Sequence, residues 1–406
     1  MIQILAIFTL FIWQSCFADN AQELLKGIER ITLDAQNVVI KKPKSLSKSS
    51  LSRKNIVDYI ESQRSKNATL NLSDDLGDNL SNLDLSEVDF SGANLLRVDF
   101  SNSDLTKAKF ENSYLEDSNF TKSNLTNATF KKADVSGSIF EDAIIDGTSF
   151  QEVFGKSSTF VNVSISNTSF KDSEFSFSDF STSKINLTDF SQAKLVGCKF
   201  LSSKLNEVDF TKSNISSSKF QFASLHNVSL ISANIDNSEF VNASISDSKL
   251  MGASLKNCNM ESIKITNSYA ESANLSNSNM IKSRITNVNF DDAYMPNSNF
   301  RDSQIVILTS SNANFRNANF TSSIIRSSIF KTINMKDSLL KGAKFIYSYL
   351  EDVDLSNSDL TDVEITDSNL INSKFNGSNT NGLKNNNSSF KNAIGMTKDV
   401  DNKNNK

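Results

Sequence analysis

Large apolar residues recur every fifth position along most of this chain. Sixty positions fall on multiples of five from Leu80 to Phe375, and all but Gly155, Ala270 and Ser310 are Leu, Phe, Ile, Met or Val. The residue two places earlier is small. Of 57 such positions from Ala93 to Ser373, all but Ile263, Leu308 and Ile333 are Ala, Ser, Thr, Val or Cys. The phase never slips. A five-residue period excludes a helical stripe, which returns every ~3.6 residues. Residues two apart on an extended backbone point the same way. The large and small positions therefore face inward together, and the Asp-, Asn-, Ser-, Lys- and Thr-rich positions between them face water. A short strand followed by a corner, repeated without interruption, winds as a solenoid.

The phenylalanines set the number of corners per turn. Every multiple of ten from Phe90 to Phe220 is Phe, while the fives between them (Leu95, Leu105, Leu115, Leu125 and onward) are mostly aliphatic. Stacking Phe on Phe and Leu on Leu needs an even number of sides. Two sides enclose nothing, and six leave a hollow that these residues cannot fill. Four sides remain, with 20 residues per coil and about 15 coils, a rod of about 70 Å at the spacing of paired strands. The predicted core column runs Phe90, Leu95, Phe100, Leu105, Phe110, Leu115, Phe120, Leu125 and Phe130.

Stretches such as Ser91-Gly92-Ala93-Asn94-Leu95 and Ser101-Asn102-Ser103-Asp104-Leu105 resemble the A(D/N)LXX pattern of the pentapeptide repeat family. The resemblance spans roughly residues 78 to 395. It implies an all-β fold, a right-handed quadrilateral β-helix. Ser often stands where the family usually has Ala. Ser103, Ser113, Ser118 and Ser123 would be inward, and their hydroxyls should bond to backbone within their own coil.

The ends read differently. Residues 1–18 carry no charge, Ile2 to Trp13 is largely apolar, and Cys16-Phe17-Ala18 offers small residues at the first and third places before Asp19. This pattern predicts a signal peptide cleaved after Ala18, leaving no stable membrane span. Residues 19–77 read as an N-terminal helical cap and basic linker. Helices are expected at Ala21–Ile31 and Ser52–Arg64, the second with Ile56, Val57 and Ile60 on one face, and the linker runs from Lys41 through Ser50. Residues 78–395 form the repeat domain, with Asn385, Asn386 and Asn387 interrupting its phase. Residues 396–406 form a polar tail.

Composition removes several function classes. The 42 Lys and Arg against 46 Asp and Glu give a net charge of −4, too balanced for polyanion binding by bulk charge. Three Cys and one His offer neither a disulfide scaffold nor a zinc cluster. Cys198 and Cys258 both fall on the small inward position of the same face, three coils apart. They read as buried free thiols too far apart to bridge. His226 reads as a lone surface residue. Glu351, Asp352, Asp354, Asp359, Asp362, Glu364 and Asp367 form an acidic stretch near the end of the rod, expected to be a solvated cap. Phe154-Gly155, Tyr269-Ala270 and Val306-Ile307-Leu308 before Ser310 disturb the inward column and read as local bulges on different faces. The many Asn-x-Ser/Thr triplets, such as Asn124-Leu125-Thr126, follow from composition.

No catalytic, cofactor or metal residue is assigned. The expectation is an exported, non-enzymatic scaffold with an unidentified macromolecular partner, a protein rather than a nucleic acid. The family resemblance also implies an alternative, since some members resemble B-form DNA in size and charge and bind type II topoisomerases. That role wants a strongly anionic rod in the cytoplasm. Here the charges leave no face strongly acidic, and the N-terminus points to export.

Overall fold

The computed structural model describes residues 51–396. The signal segment, the helix expected at Ala21–Ile31, the basic segment through Ser50 and the tail from residue 397 lie outside the described residues. Parallel pairing joins each residue to the one 20 places on, from Asn79↔Asp99 to Lys374↔Ile394. One coil is therefore 20 residues, and the chain is a parallel β-solenoid of four-sided coils. Phe90, Leu95, Phe100, Leu105, Phe110, Leu115, Phe120, Leu125 and Phe130 are all fully buried.

The phenylalanines stack in two columns. Phe90 and Phe110 lie 5.1 Å apart with rings inclined by 12°, and Phe120 and Phe140 lie 4.8 Å apart at 2°. Across the interior the columns meet edge to face, as at Phe90 and Phe100, 5.8 Å apart at 69°. Both arrangements suit the ring quadrupole and leave no lumen.

The corners rest on backbone that the apolar pattern does not announce. The second residue after each inward large residue has positive φ, at every such position from Asn82 to Asn392. At many corners the N–H three residues after the large residue then closes the turn, as in Val88 to the Leu85 carbonyl at 3.2 Å. Positive φ at the third residue of such a turn is the type II signature. Asn, Asp and Gly suit that conformation. Ile307, Leu187, Phe177, Phe222 and Tyr347 also adopt it, at a steric cost of about 1–2 kcal/mol each.

The inward hydroxyls correct one expectation. Ser113 and Ser123 donate within their own coil, to the Phe110 and Phe120 carbonyls. Ser103 and Ser118 instead donate to Leu80 and Leu95 of the preceding coil, both at 2.8 Å. Ser118 also accepts from Val98 N–H, so the hydroxyl links two coils. At Phe160 the hydroxyl takes over the corner: Val163 N–H donates to Ser183 Oγ at 3.0 Å, and Ser183 donates on to the Phe160 carbonyl.

Helix α1 spans Arg53–Ser65, capped by the Ser52 side chain, and buries Ile56 and Ile60. A short helix α2, Leu72–Asp75, follows. The Tyr59 hydroxyl donates to Asp75 and ties the two together. Leu70, Leu72 and Leu76 are buried with α1 against the first coil. The inserted α2 shifts the entry register, so that Asn71 pairs with Asn94 before the 20-residue spacing begins.

Four irregularities differ from expectation. Asn385, Asn386 and Asn387 do not break the register: Ile365 pairs with Asn385 and Thr366 with Asn386. The Asn385 amide takes an inward place because it binds both the N–H and the carbonyl of Ser388. The expected bulges at Phe154, Tyr269 and Ile307 are absent too, since pairing runs unbroken through Asp134↔Phe154, Lys249↔Tyr269 and Leu308↔Val288. Size exchange explains the last case. Leu308 occupies the small slot and Ser310 the large one, and both are buried.

Candidate functional site

A recess follows one corner of the solenoid. Asp247, Asn267 and Asn287 form one wall, Tyr269, Asn289 and Thr309 the other, and Ser268 and Val288 lie between, enclosing about 600 Å³. The corner is unusual because strands Lys264–Tyr269, Arg284–Asn289 and Gln304–Ser311 run through it. Ser248 and Ser268 direct their hydroxyls to the Ser246 and Thr266 carbonyls.

The first wall is an amide ladder. Asn287 Nδ2 donates to Asn267 Oδ1 at 3.0 Å, and Asn267 Nδ2 donates to Asp247 Oδ1 at 3.2 Å. Asn289 Nδ2 donates to Glu271, and its Oδ1 accepts from Asp291 N–H. His226 stands at one mouth. Its Nδ1 is 3.2 Å from Asp247 Oδ2 and 3.0 Å from Ser246 Oγ. His226 therefore has an acidic neighbour that sequence reading did not show, because Asp247 lies one coil on. Ser246 and Asp247 meet the same ring nitrogen. A nucleophile relay needs both nitrogens, so this trio is a histidine–carboxylate contact with a hydroxyl beside it and not a triad.

Beyond the recess the same corner turns apolar. Ile307 follows Asn287 in the ladder column and is 51 % exposed, and Tyr347 stands two coils further at 61 %. Ile329 pairs with the half-buried Tyr349 on the neighbouring column. The sequence reading placed Tyr269 and Ile307 on different faces. The coil brings their columns together at one corner, because residues at this open turn and at the start of the next side border the same recess.

Cys198 and Cys258 are buried, reduced and unpaired. Each thiol donates to a carbonyl of the preceding coil, Phe175 at 3.0 Å and Ile235 at 3.2 Å. Burial pushes both thiols up to about 12. The acidic stretch is engaged by its neighbours: Glu351 with Lys331, Asp354 with Lys336 and Glu364 with Lys344. The hydrogen bond and charge of Lys344 lower the Glu364 carboxyl, and the Thr361 hydroxyl lowers Asp359. Among the described residues no cluster could hold a metal ion, and no helix is long and apolar enough to cross a membrane.

Whole-face charge totals also hid one column. Lys184, Lys204, Lys264 and Arg284 all stand at the first place of strands on one side, with Lys184 paired to Lys204 and Lys264 to Arg284. Only a count by position within the 20-residue coil reveals it.

The pentapeptide repeats family model matches in eight copies, within 84–121, 103–142, 223–261, 265–302 and 338–377, and a pentapeptide repeat region model matches 133–210. No curated protein matches the sequence. Among solved structures, HetL, a pentapeptide repeat protein involved in heterocyst differentiation regulation in the cyanobacterium Nostoc sp. strain PCC 7120, is 16% identical. The match covers 68% of this chain and 90% of that one, with a TM-score of 0.21. Full-length QnrB1, a plasmid-mediated fluoroquinolone resistance protein, is 15% identical over 49% of this chain and 94% of that one, with a TM-score of 0.18. A pentapeptide repeat protein from the Arabidopsis thaliana thylakoid lumen is 18% identical over 33% of this chain and 66% of that one, with a TM-score of 0.10.

Proposed function

The chain belongs to the pentapeptide repeat family, and from that premise we propose that it is an exported, non-enzymatic scaffold that docks a protein partner along the edge formed by Ile307, Ile329, Tyr347 and Tyr349. One observation carries the docking reading. Ile307 and Tyr347 hold bulky apolar side chains in water on left-handed backbone, with φ of 54° and 52°. Asn or Gly would fit those places with less strain, and most other corners have small or polar residues there. Strain retained together with exposed apolar surface is the mark of a binding surface.

The uncharged, apolar N-terminal segment through Ala18 supports export. The outward column Lys184, Lys204, Lys264 and Arg284 weighs against mimicry of an anionic duplex. Cell fractionation with sequencing of the mature N-terminus tests the location. A chain beginning at Asp19 outside the cytoplasm supports export, and an intact Met1 in the cytosol refutes it. Crosslinking pull-down from the same cells tests the docking edge. A protein captured by the native chain and lost with Tyr347→Ser is the expected result. Capture that persists in a Tyr347→Ser, Ile329→Ser double variant removes this edge from the proposal.

A further inference from the structure

The recess between Asp247 and Thr309 is separate in chemistry from the apolar edge. We propose that it binds a neutral, hydroxyl-rich polysaccharide chain lying along the solenoid axis.

The lining has three properties that together select such a ligand. First, it offers uncharged hydrogen-bonding groups in repeated pairs. Asn267 uses one amide hydrogen and one oxygen lone pair in the ladder, and Asn287 uses one hydrogen. An amide has two of each, so each keeps a donor and at least one acceptor for a ligand. The Asn289 amide keeps a second hydrogen after bonding Glu271. Tyr269 and Thr309 line the recess, and among the described residues neither hydroxyl has a hydrogen-bond partner. Paired donors and acceptors at coil spacing match vicinal hydroxyls on successive sugar rings.

Second, the wall carries one exposed aromatic. Tyr269 is 56 % exposed and sits among Asn289, Thr309 and the amide ladder. A ring with an apolar face and a polar tip can cover the hydrogen-bearing face of a sugar while its hydroxyl stays hydrated.

Third, the lining carries little charge. Asp247 is the one acidic side chain lining the recess, and no Lys or Arg lines it. An anionic chain would meet this carboxylate without a cation on the wall. An extended peptide is a poorer occupant for another reason. Peptides that add to a sheet need a free strand edge, and the strands here are already paired through the groove, Tyr269 with Asn289 and Asn289 with Thr309.

The test is calorimetric titration of the full chain with cellohexaose, chitohexaose and maltohexaose, and with hexagalacturonate as the anionic control. Binding of at least one neutral hexasaccharide is expected, weakened about tenfold or more by Tyr269→Ala and retained by Tyr269→Phe. An unchanged melting temperature for both variants, as their exposure implies, assigns the loss to the site. The proposal is overturned if no neutral hexasaccharide binds at millimolar concentration. Binding indifferent to Tyr269→Ala, or binding of hexagalacturonate alone, overturns it equally. The protein-docking edge is read separately, because its variants at Tyr347 and Ile329 leave this recess intact.

Discussion

The ring of Phe175 fills the space that a side chain at Gly155 would need: a β-carbon there would lie 2.1 Å from Phe175 Cε1. The one inward glycine of the repeat column and the one Phe standing among aliphatic neighbours before Phe220 are thus a matched pair, one coil apart. Phe175 also packs edge to face on Phe170, with ring centres 5.2 Å apart.

Gly155→Ala should therefore destabilise the solenoid by about 1–3 kcal/mol, the usual cost of overpacking. Phe175→Leu in the same chain should recover part of that loss. Thermal or denaturant unfolding of the two single variants and the double variant measures the coupling. Additive effects would show that the two sites do not share this space.

Ser183→Ala should cost more than Ser118→Ala. Val98 N–H still bonds the Leu95 carbonyl directly at 3.2 Å when the Ser118 hydroxyl is removed. Val163 N–H has only the Ser183 hydroxyl in that role. The expected losses are about 1–3 kcal/mol at Ser183 and about 1 kcal/mol or less at Ser118, read from denaturant midpoints. Equal losses would mean that the inserted hydroxyl does not carry the corner.

Ile307→Asn should raise stability by about 1 kcal/mol, because Asn tolerates left-handed backbone and Ile does not. It would also extend the amide ladder upward from Asn287. The same variant should weaken capture of the protein partner. A rise in melting temperature with weaker capture is the expected pair of results. A fall in stability would show that Ile307 serves packing instead.

Native Cys198 and Cys258 should resist alkylation at mildly alkaline pH and react at once in denaturant, since burial pushes both thiols from 9.0 up to about 12. The raised values also set a pH dependence. Below about pH 9 both states hold the protons and these groups leave stability unchanged. Between about 9 and 12 the unfolded thiols lose protons that the folded ones keep, so stability falls as pH rises, by about 1.4 kcal/mol per pH unit for each thiol. A Cys198→Ala, Cys258→Ala chain should lose that part of the alkaline slope, measured by unfolding at stepped pH. An unchanged slope would assign the alkaline loss to other groups.

The five-residue period, the inward pair of positions and the 20-residue coil were all legible in the amino-acid sequence. They follow from two local facts: alternate residues of an extended chain share a side, and like side chains must stack. Helix α1 was legible for a similar reason, because Ile56 and Ile60 fall on one helical face. What lies 20 residues apart was much harder to see. The Asp247 neighbour of His226, the column from Lys184 to Arg284 and the compensation of Gly155 by Phe175 all join successive coils. The left-handed corners were also missed, because residues as different as Asn, Lys and Ile occupy them and apolar spacing does not report φ. The groove itself is a tertiary decision. Its amides and its tyrosine are ordinary surface residues in sequence. They become a site only because strands run through one corner and bring two outward columns to face each other. Local periodicity determined the coil, and the stacking of coils decided which surface residues meet.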